Sequence, residues 1–198
     1  MQRHIKDPYV RKARSDGYRS RAAYKLIEVN TRDRLLIPGA RVVDLGAAPG
    51  GWSQVAVQKV VPGGKVVAVD LLEFAPMSGV TILRGDCREP GVQAQLVEAL
   101  GGLKADVVLS DMSPNISGIA SADQARAAEL VQMAIAFCRA HLKPGGAFLV
   151  KVFQGEEFAG LLKEMKRMFR DVRTLKPAAS REESRETYLL ARGLKGLQ

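Results

Sequence analysis

The chain carries 198 residues, 46% of them hydrophobic, with 30 Lys and Arg against 21 Asp and Glu for a formal net charge of +9. That length suits one domain with a sizeable core rather than two, so residues 1–198 are read as one domain with a basic N-terminal extension at 1–18. No apolar run approaches the roughly 20 residues that cross a bilayer. Cys87 and Cys138 lie far apart and His4 and His141 are the only histidines, so membrane, disulfide-stapled and metal-centred classes are set aside. A cytoplasmic monomer with no membrane partner and no metal is expected.

The charge is unevenly placed. Residues 1–34 hold ten Lys or Arg against four Asp or Glu, residues 35–150 nine against ten, and residues 151–198 eleven against seven. A near-neutral centre between basic flanks fits a small-molecule site bordered by a polyanion-binding surface. Arg3, Lys6, Arg11, Lys12, Arg14, Arg19 and Arg21 are the expected phosphate contacts in the first flank. A short helix follows over 20–30, with Ala23, Leu26, Ile27 and Asn30 on one side.

Strands are predicted at 41–45, 65–69, 80–83, 105–110, 147–151, 172–175 and 187–191. A long helix over 122–142 repeats Ala128, Val131, Ile135, Cys138 and Leu142 at spacings of three and four, with Ser121 and Gln124 as a capping box. Pro144-Gly145-Gly146 is its expected stop, and His141 is read as a cation favoured by the helix C-terminus. A second amphipathic helix carries Phe158, Leu161, Leu162, Met165 and Phe169. Strands alternating with helices predict an α/β fold, a parallel sheet covered on both faces.

In such a sheet, ligands bind at the carboxyl ends of the strands, and a polar residue closes each central strand: Asp44, Asp70, Asp86, Asp111 and Lys151. The loop from Gly46 to Gly51 lets the backbone approach a ligand closely. Against a dinucleotide, Ala48 stands where a middle glycine belongs and Pro49 withdraws an amide from the helix N-terminus, while Asp44 adds negative charge. Repulsion of a diphosphate with attraction for a sulfonium and an amino group points to S-adenosylmethionine. Asp70 then suits the ribose hydroxyls and Asp86, by its strand-end position, the adenine edge, the alternative for Asp86 being an Asx turn or N-cap before Pro90. Trp52 is either an apolar wall beside the loop or a core aromatic of the following helix.

Lys151 interrupts the otherwise apolar run 147–153, where an unpaired ammonium is expensive, so it either pairs with Asp111 or works beside a methyl acceptor. The segments 19–26, 43–54, 110–115, 150–155 and 184–186 resemble the FtsJ family of RNA ribose 2′-O-methyltransferases over nearly the whole chain, nearest the bacterial large-subunit ribosomal RNA enzymes. The resemblance implies a Rossmann-like S-adenosylmethionine-dependent methyltransferase fold with a mostly parallel seven-stranded sheet. It implies a catalytic tetrad of Lys25, Asp111, Lys151 and Glu186, while the strand ends and the glycine loop give the expected cofactor contacts Asp44, Gly46, Gly50, Trp52, Asp70, Asp86 and Asp111. It also implies methylation of a ribose, expected to be that of a uridine of large-subunit (23S) ribosomal RNA, free or in an assembled subunit. By their own surroundings Lys25 would be a solvated helix residue and Glu186 one charge in a mixed loop. A nicotinamide dehydrogenase, a cofactor-free RNA-binding protein, and methyltransferases of cap or transfer RNA are the competing readings.

Overall fold

The computed structural model describes residues 7–115, 117–181 and 184–196. Arg3 and Lys6 of the basic extension lie outside the described residues. The remainder of that extension contains a helix, α1 (Pro8–Ser15), which Asp7 caps by accepting from the Tyr9 amide at 3.0 Å and Pro8 begins with a φ already suited to it. Helix α2 spans Ala23–Asp33, three residues downstream of the predicted start, because residues 20–22 lead in through tighter i to i+3 turns.

The remaining elements alternate as expected: β1 (Arg41–Leu45), α3 (Gly51–Val60), β2 (Lys65–Asp70), β3 (Val80–Arg84), α4 (Pro90–Ala99), β4 (Ala105–Ser110), α5 (Ala120–His141), β5 (Leu142–Phe153), α6 (Phe158–Met168), β6 (Phe169–Leu175) and β7 (Glu186–Leu194). They form one seven-stranded sheet in the order β3-β2-β1-β4-β5-β7-β6. Only the β5–β7 and β6–β7 pairings are antiparallel. The order in which strands are added reverses between the parallel strands β1 and β4, which opens a crevice at their carboxyl ends. Among the described residues no helix is long and apolar enough to cross a membrane.

Helix α5 differs from the expectation at its cap, its stop and its last residue. Ser121 and Gln124 do not cap it, since the helix begins earlier, at Ala120, and no side chain bonds its N-cap, Ile119. Asp123 in the first turn instead accepts from the Ser117 amide at 2.8 Å, the Ser117 hydroxyl at 2.7 Å and the Gly118 amide at 3.1 Å, fastening the incoming loop. At the other end Pro144-Gly145-Gly146 is not the stop. The helix ends at His141 and Leu142 already pairs with Ala105, while a register irregularity between Ala105 and Val107 absorbs the Pro-Gly-Gly segment inside β5. Nor is His141 a dipole cation: burial, with the nearby charge of Lys104, lowers its pKa and favours the neutral ring.

Side chains alternate across the sheet with the two-residue period of extended backbone. Val43, Leu45, Val67, Val69, Phe148 and Val150 face α4, α5 and α6, while Val42, Val66, Val107, Leu109, Leu149, Tyr188 and Leu190 face α2 and α3. The alternation decides where the polar strand ends point. Lys151 is two residues beyond Leu149, Asp111 two beyond Leu109, and Glu186 two before Tyr188, so all three extend the α2–α3 face, where α2 delivers Lys25.

Candidate active site

Strand register brings four of these residues into a row. Ser110 pairs with Val150 in the parallel β4–β5 ladder, which sets Asp111 beside Lys151, and Lys151 lies directly opposite Tyr188 in the antiparallel β5–β7 ladder. The Lys151 Nζ donates to the Asp111 carbonyl oxygen at 2.8 Å and lies 3.2 Å from its Oδ1. The Tyr188 hydroxyl donates to that same Oδ1 at 2.7 Å and accepts from Lys25 Nζ at 3.0 Å. Lys25 Nζ is in turn 2.8 Å from Glu186 Oε1. The four predicted residues therefore form one chain, Glu186–Lys25–Tyr188–Asp111–Lys151, with a phenol at its centre that the sequence reading missed.

Burial gives the chain its electrostatic character. Lys25 and Lys151 are 7% and 6% exposed, so Lys25 is no solvated helix residue, and each ammonium is matched by a carboxylate as a buried charge requires. Burial, then the charges of Asp111 and Glu186 and the bond to Asp111, push the Tyr188 hydroxyl far above the ordinary phenol range, so it stays a neutral donor. For Glu186, burial acts to raise the pKa. The charge and hydrogen bond of Lys25, the Ser180 hydroxyl and the charge of Lys151 together outweigh it and hold Glu186 ionised below its usual range.

Asp111 also lines a cleft of about 760 Å³ at the carboxyl ends of β1, β2 and β4. Gly46, Asp70, Asp86 and Met112 line it too, with Arg126 and Glu129 of α5 on the far side. Gly46 has φ 71° and a side chain there would collide with Met112 Cγ at 2.2 Å, so glycine is required on both counts. Asp70 fixes the loop: its Oδ2 accepts from the Ala48 amide and its Oδ1 from the Leu72 amide, both at 2.8 Å. Each oxygen retains a lone pair for a ligand. Asp86 does form the Asx turn, accepting from the Arg88 amide at 2.9 Å, and still lines the cleft. The Arg88 side chain, through hydrogen bonds, is the main cause of its lowered pKa.

The other proposed contacts sit deeper. Asp44 is 1% exposed and accepts from the Ser53 hydroxyl at 2.6 Å, beneath the loop and outside the lining of the cleft. Burial pushes its pKa up to about 7 despite the Ser53 bonds, with the charges of Asp111 and Asp70 adding to the rise, so it carries less negative charge than expected. The Trp52 indole is a core aromatic and not a wall: it is 3% exposed, donates to the Ala22 carbonyl at 2.8 Å and lies 5.9 Å from the Tyr188 ring. Neither Trp52 nor Gly51 lines the cleft, and the Asp44 carboxylate takes the Ser53 amide in the first turn of α3. Gly50 serves as N-cap with φ 102° and lies outside the cleft lining.

A hydrogen-bonded row of two lysines, two carboxylates and a phenol beside an acidic cleft in a 3-2-1-4-5-7-6 sheet narrows the choice of family, and similarity to known proteins decides it. The sequence model of the FtsJ-like methyltransferases matches residues 18–194. The chain belongs to the FtsJ-like methyltransferase family. It is 55% identical over 190 residues to ribosomal RNA large subunit methyltransferase E of Azoarcus sp. strain BH72, covering 96% of this chain and 93% of that one. It is 53% identical over 195 residues to the protein of the same name from Dechloromonas aromatica strain RCB, covering 98% and 95%. A crystal structure from Plasmodium falciparum described as a ribosomal RNA methyltransferase superposes with a TM-score of 0.79 at 30% identity, covering 91% of this chain and all of the other. The family's methyl-transfer chemistry agrees with the acidic cleft and leaves no place for a dehydrogenase.

Two of the predicted phosphate contacts are engaged within the protein. Arg21 pairs with Asp7 and donates to the Ala179 carbonyl. Arg19 is bonded to three backbone carbonyls. Arg11, Lys12 and Arg14 on α1 remain exposed, with Lys12 Nζ 4.9 Å from the Tyr24 ring centroid.

Proposed function

We propose that this protein transfers a methyl group from S-adenosylmethionine to a ribose 2′-hydroxyl of large-subunit ribosomal RNA in the cytoplasm. The observation that carries this reading is the Lys25–Tyr188–Asp111–Lys151 network sharing Asp111 with the acidic cleft, so that a proton-handling ammonium stands at the edge of a cation-binding site. The chain completes this network by itself, which suits a single methyltransferase domain acting as a monomer.

The residues fit the cofactor. Carboxylates of Asp70, Asp86 and Asp111 face the cleft, a donor set suited to ribose hydroxyls, an adenine amino group and a sulfonium with its neighbouring ammonium. When bound, S-adenosylmethionine supplies an electrophilic methyl carbon that the ribose oxygen attacks. Lys151, held by both oxygens of Asp111 that it touches, meets the charge developing on the 2′-oxygen, as proton acceptor or as a fixed cation. Tyr188 and Lys25 hold the Asp111 carboxylate in register, and Glu186 balances Lys25.

The test is to map 2′-O-methyl positions in ribosomal RNA from cells with and without the protein. One large-subunit position should lose its mark and regain it with the wild type but not with Lys151→Ala. An unchanged map would overturn the substrate. In parallel, Asp70→Ala should weaken S-adenosylmethionine binding by roughly tenfold to a hundredfold, the worth of a hydrogen bond to a charged group. Unchanged affinity in the folded variant would remove Asp70 from the site.

A further inference from the structure

Residues 17–22 join α1 to α2, and they are bonded to the start of α3 at Gly17, Arg19 and Ala22. Gln54 Nε2 donates to the Gly17 carbonyl at 2.8 Å, its Oε1 accepts from the Arg19 amide at 3.0 Å, and the Trp52 indole donates to the Ala22 carbonyl at 2.8 Å. Ser20 presses on the backbone itself, for a Cβ on Gly51 would come within 2.2 Å of its hydroxyl. The Arg19 guanidinium goes further. Its Nη1 donates to the Ala75 carbonyl at 2.6 Å and the Pro49 carbonyl at 3.3 Å, and its Nη2 to the Pro76 carbonyl at 2.7 Å. A Cβ on Gly50 would meet Met77 at 3.0 Å, Phe74 at 3.1 Å and Arg19 at 3.2 Å, so the 71–79 connection and the 17–22 segment both converge on that glycine.

We infer that Arg19 is a positioning residue for the cofactor rather than a ligand of RNA phosphate: it clasps the glycine loop 46–51 to the β2–β3 connection 71–79. Both clasped segments border the cleft, the first through Gly46 and Ala48 and the second through Leu71 and Leu72. Asp70 bonds to an amide of each, Ala48 and Leu72, on the side toward the cleft, and Arg19 joins the same two segments through their carbonyls. No acidic side chain partners the guanidinium in these bonds. Its charge polarises three carbonyls held in the fixed fork geometry that arginine offers and an ammonium does not. An arginine so engaged has few donors left for a phosphate.

The inference rests on the reading that S-adenosylmethionine occupies this cleft. The test measures S-adenosylmethionine affinity by calorimetry, and the salt dependence of RNA binding, for wild type, Arg19→Ala and Arg19→Lys, with thermal melting to verify folding. Arg19→Ala should raise the cofactor Kd about tenfold or more while leaving the slope of log affinity for RNA against log salt unchanged. Arg19→Lys, which keeps the charge but cannot span three carbonyls, should share most of the cofactor defect and serves where the alanine variant does not fold. Wild-type cofactor affinity in both variants, or an RNA slope reduced by about 0.7 to 0.9 in Arg19→Ala and restored in Arg19→Lys, would overturn the clasp and make Arg19 a phosphate contact. A wild type that does not bind S-adenosylmethionine at all would overturn the functional reading with it.

Discussion

Under the proposed function Lys151, held against Asp111, meets the acceptor hydroxyl, so its worth should be felt in the transition state alone. Lys151→Ala should lower kcat by about 10² to 10⁴-fold with little change in cofactor affinity, measured as methyl transfer at saturating RNA. Lys151→Arg keeps the charge without a proton-accepting form near neutrality, so rescue by arginine marks an electrostatic role and its failure marks a base. A near-normal kcat in Lys151→Ala would reduce the residue to a structural partner of Asp111. Tyr188→Phe removes only the hydroxyl between Lys25 and Asp111 and keeps the ring against Trp52. It should cost about tenfold to a hundredfold in kcat, and unaltered turnover would leave the phenol a packing residue. Lys151 was legible in the sequence because a charge in an apolar strand needs a partner. Lys25 and Glu186 were legible only through family resemblance, since their sequence neighbours are mixed charges and nothing local shows that α2 turns Lys25 inward. Tyr188 gave no signal, because β7 is buried on both faces and an aromatic among Leu189, Leu190 and Ala191 reads as core.

Elements were read most securely where a hydrophobic period runs unbroken, and all seven strands were placed on that basis. Their ends were less legible, because they depend on pairing. Pro144-Gly145-Gly146 stops a helix by its own chemistry, yet the β4–β5 ladder extends past it and takes it up as an irregularity. Helix α1 reads in the sequence only as basic extension, since eight residues with three cations and a single buried side chain, Ala13, are short and polar. It is held from outside by Tyr24 and Ala179, with Asp7 paired to Arg21. This anchoring presents Arg11, Lys12 and Arg14 on a fixed helix, a better phosphate-binding surface than a free arm because less ordering is needed on binding. Arg11→Ala and Arg14→Ala should each lower the slope of log RNA affinity against log salt by about 0.7 to 0.9, with cofactor affinity unchanged. Slopes equal to the wild type in both would assign the charge of α1 to solvation.

Across the whole molecule, the topology concentrates carboxylates at one end of the sheet, and the fold bears an electrostatic cost there. Asp70, Asp86 and Asp111 end or follow neighbouring strands, and the deepest carboxylate, Asp44, one residue before the end of β1, meets Ser53 and, among the described residues, no cation within ion-pair distance. Burial and the charges of Asp111 and Asp70 raise its pKa to about 7 in the folded protein, against an ordinary value near 3.8. Below about pH 4 the carboxyl is protonated whether the chain is folded or not. Between about pH 4 and 7 the unfolded chain releases the proton while the folded protein retains it, so the unfolded state binds fewer protons and stability falls as pH rises. At about 1.36 kcal/mol per pKa unit the loss over that window is at most roughly 4 kcal/mol, and it levels off above pH 7. Carboxylates held below their usual range, such as Glu186 and Asp106, act oppositely, their stabilisation being lost as pH falls through their lowered values. The contribution of Asp44 is therefore isolated by difference. Asp44→Asn keeps an acceptor for the Ser53 hydroxyl and cannot ionise. Its unfolding free energy relative to wild type, measured by urea denaturation from pH 4 to 8, should shift in favour of asparagine through the neutral range. A difference that stays constant across that range would mean that Asp44 is ionised throughout, and that the strand-end carboxylates are compensated by the protein as a whole.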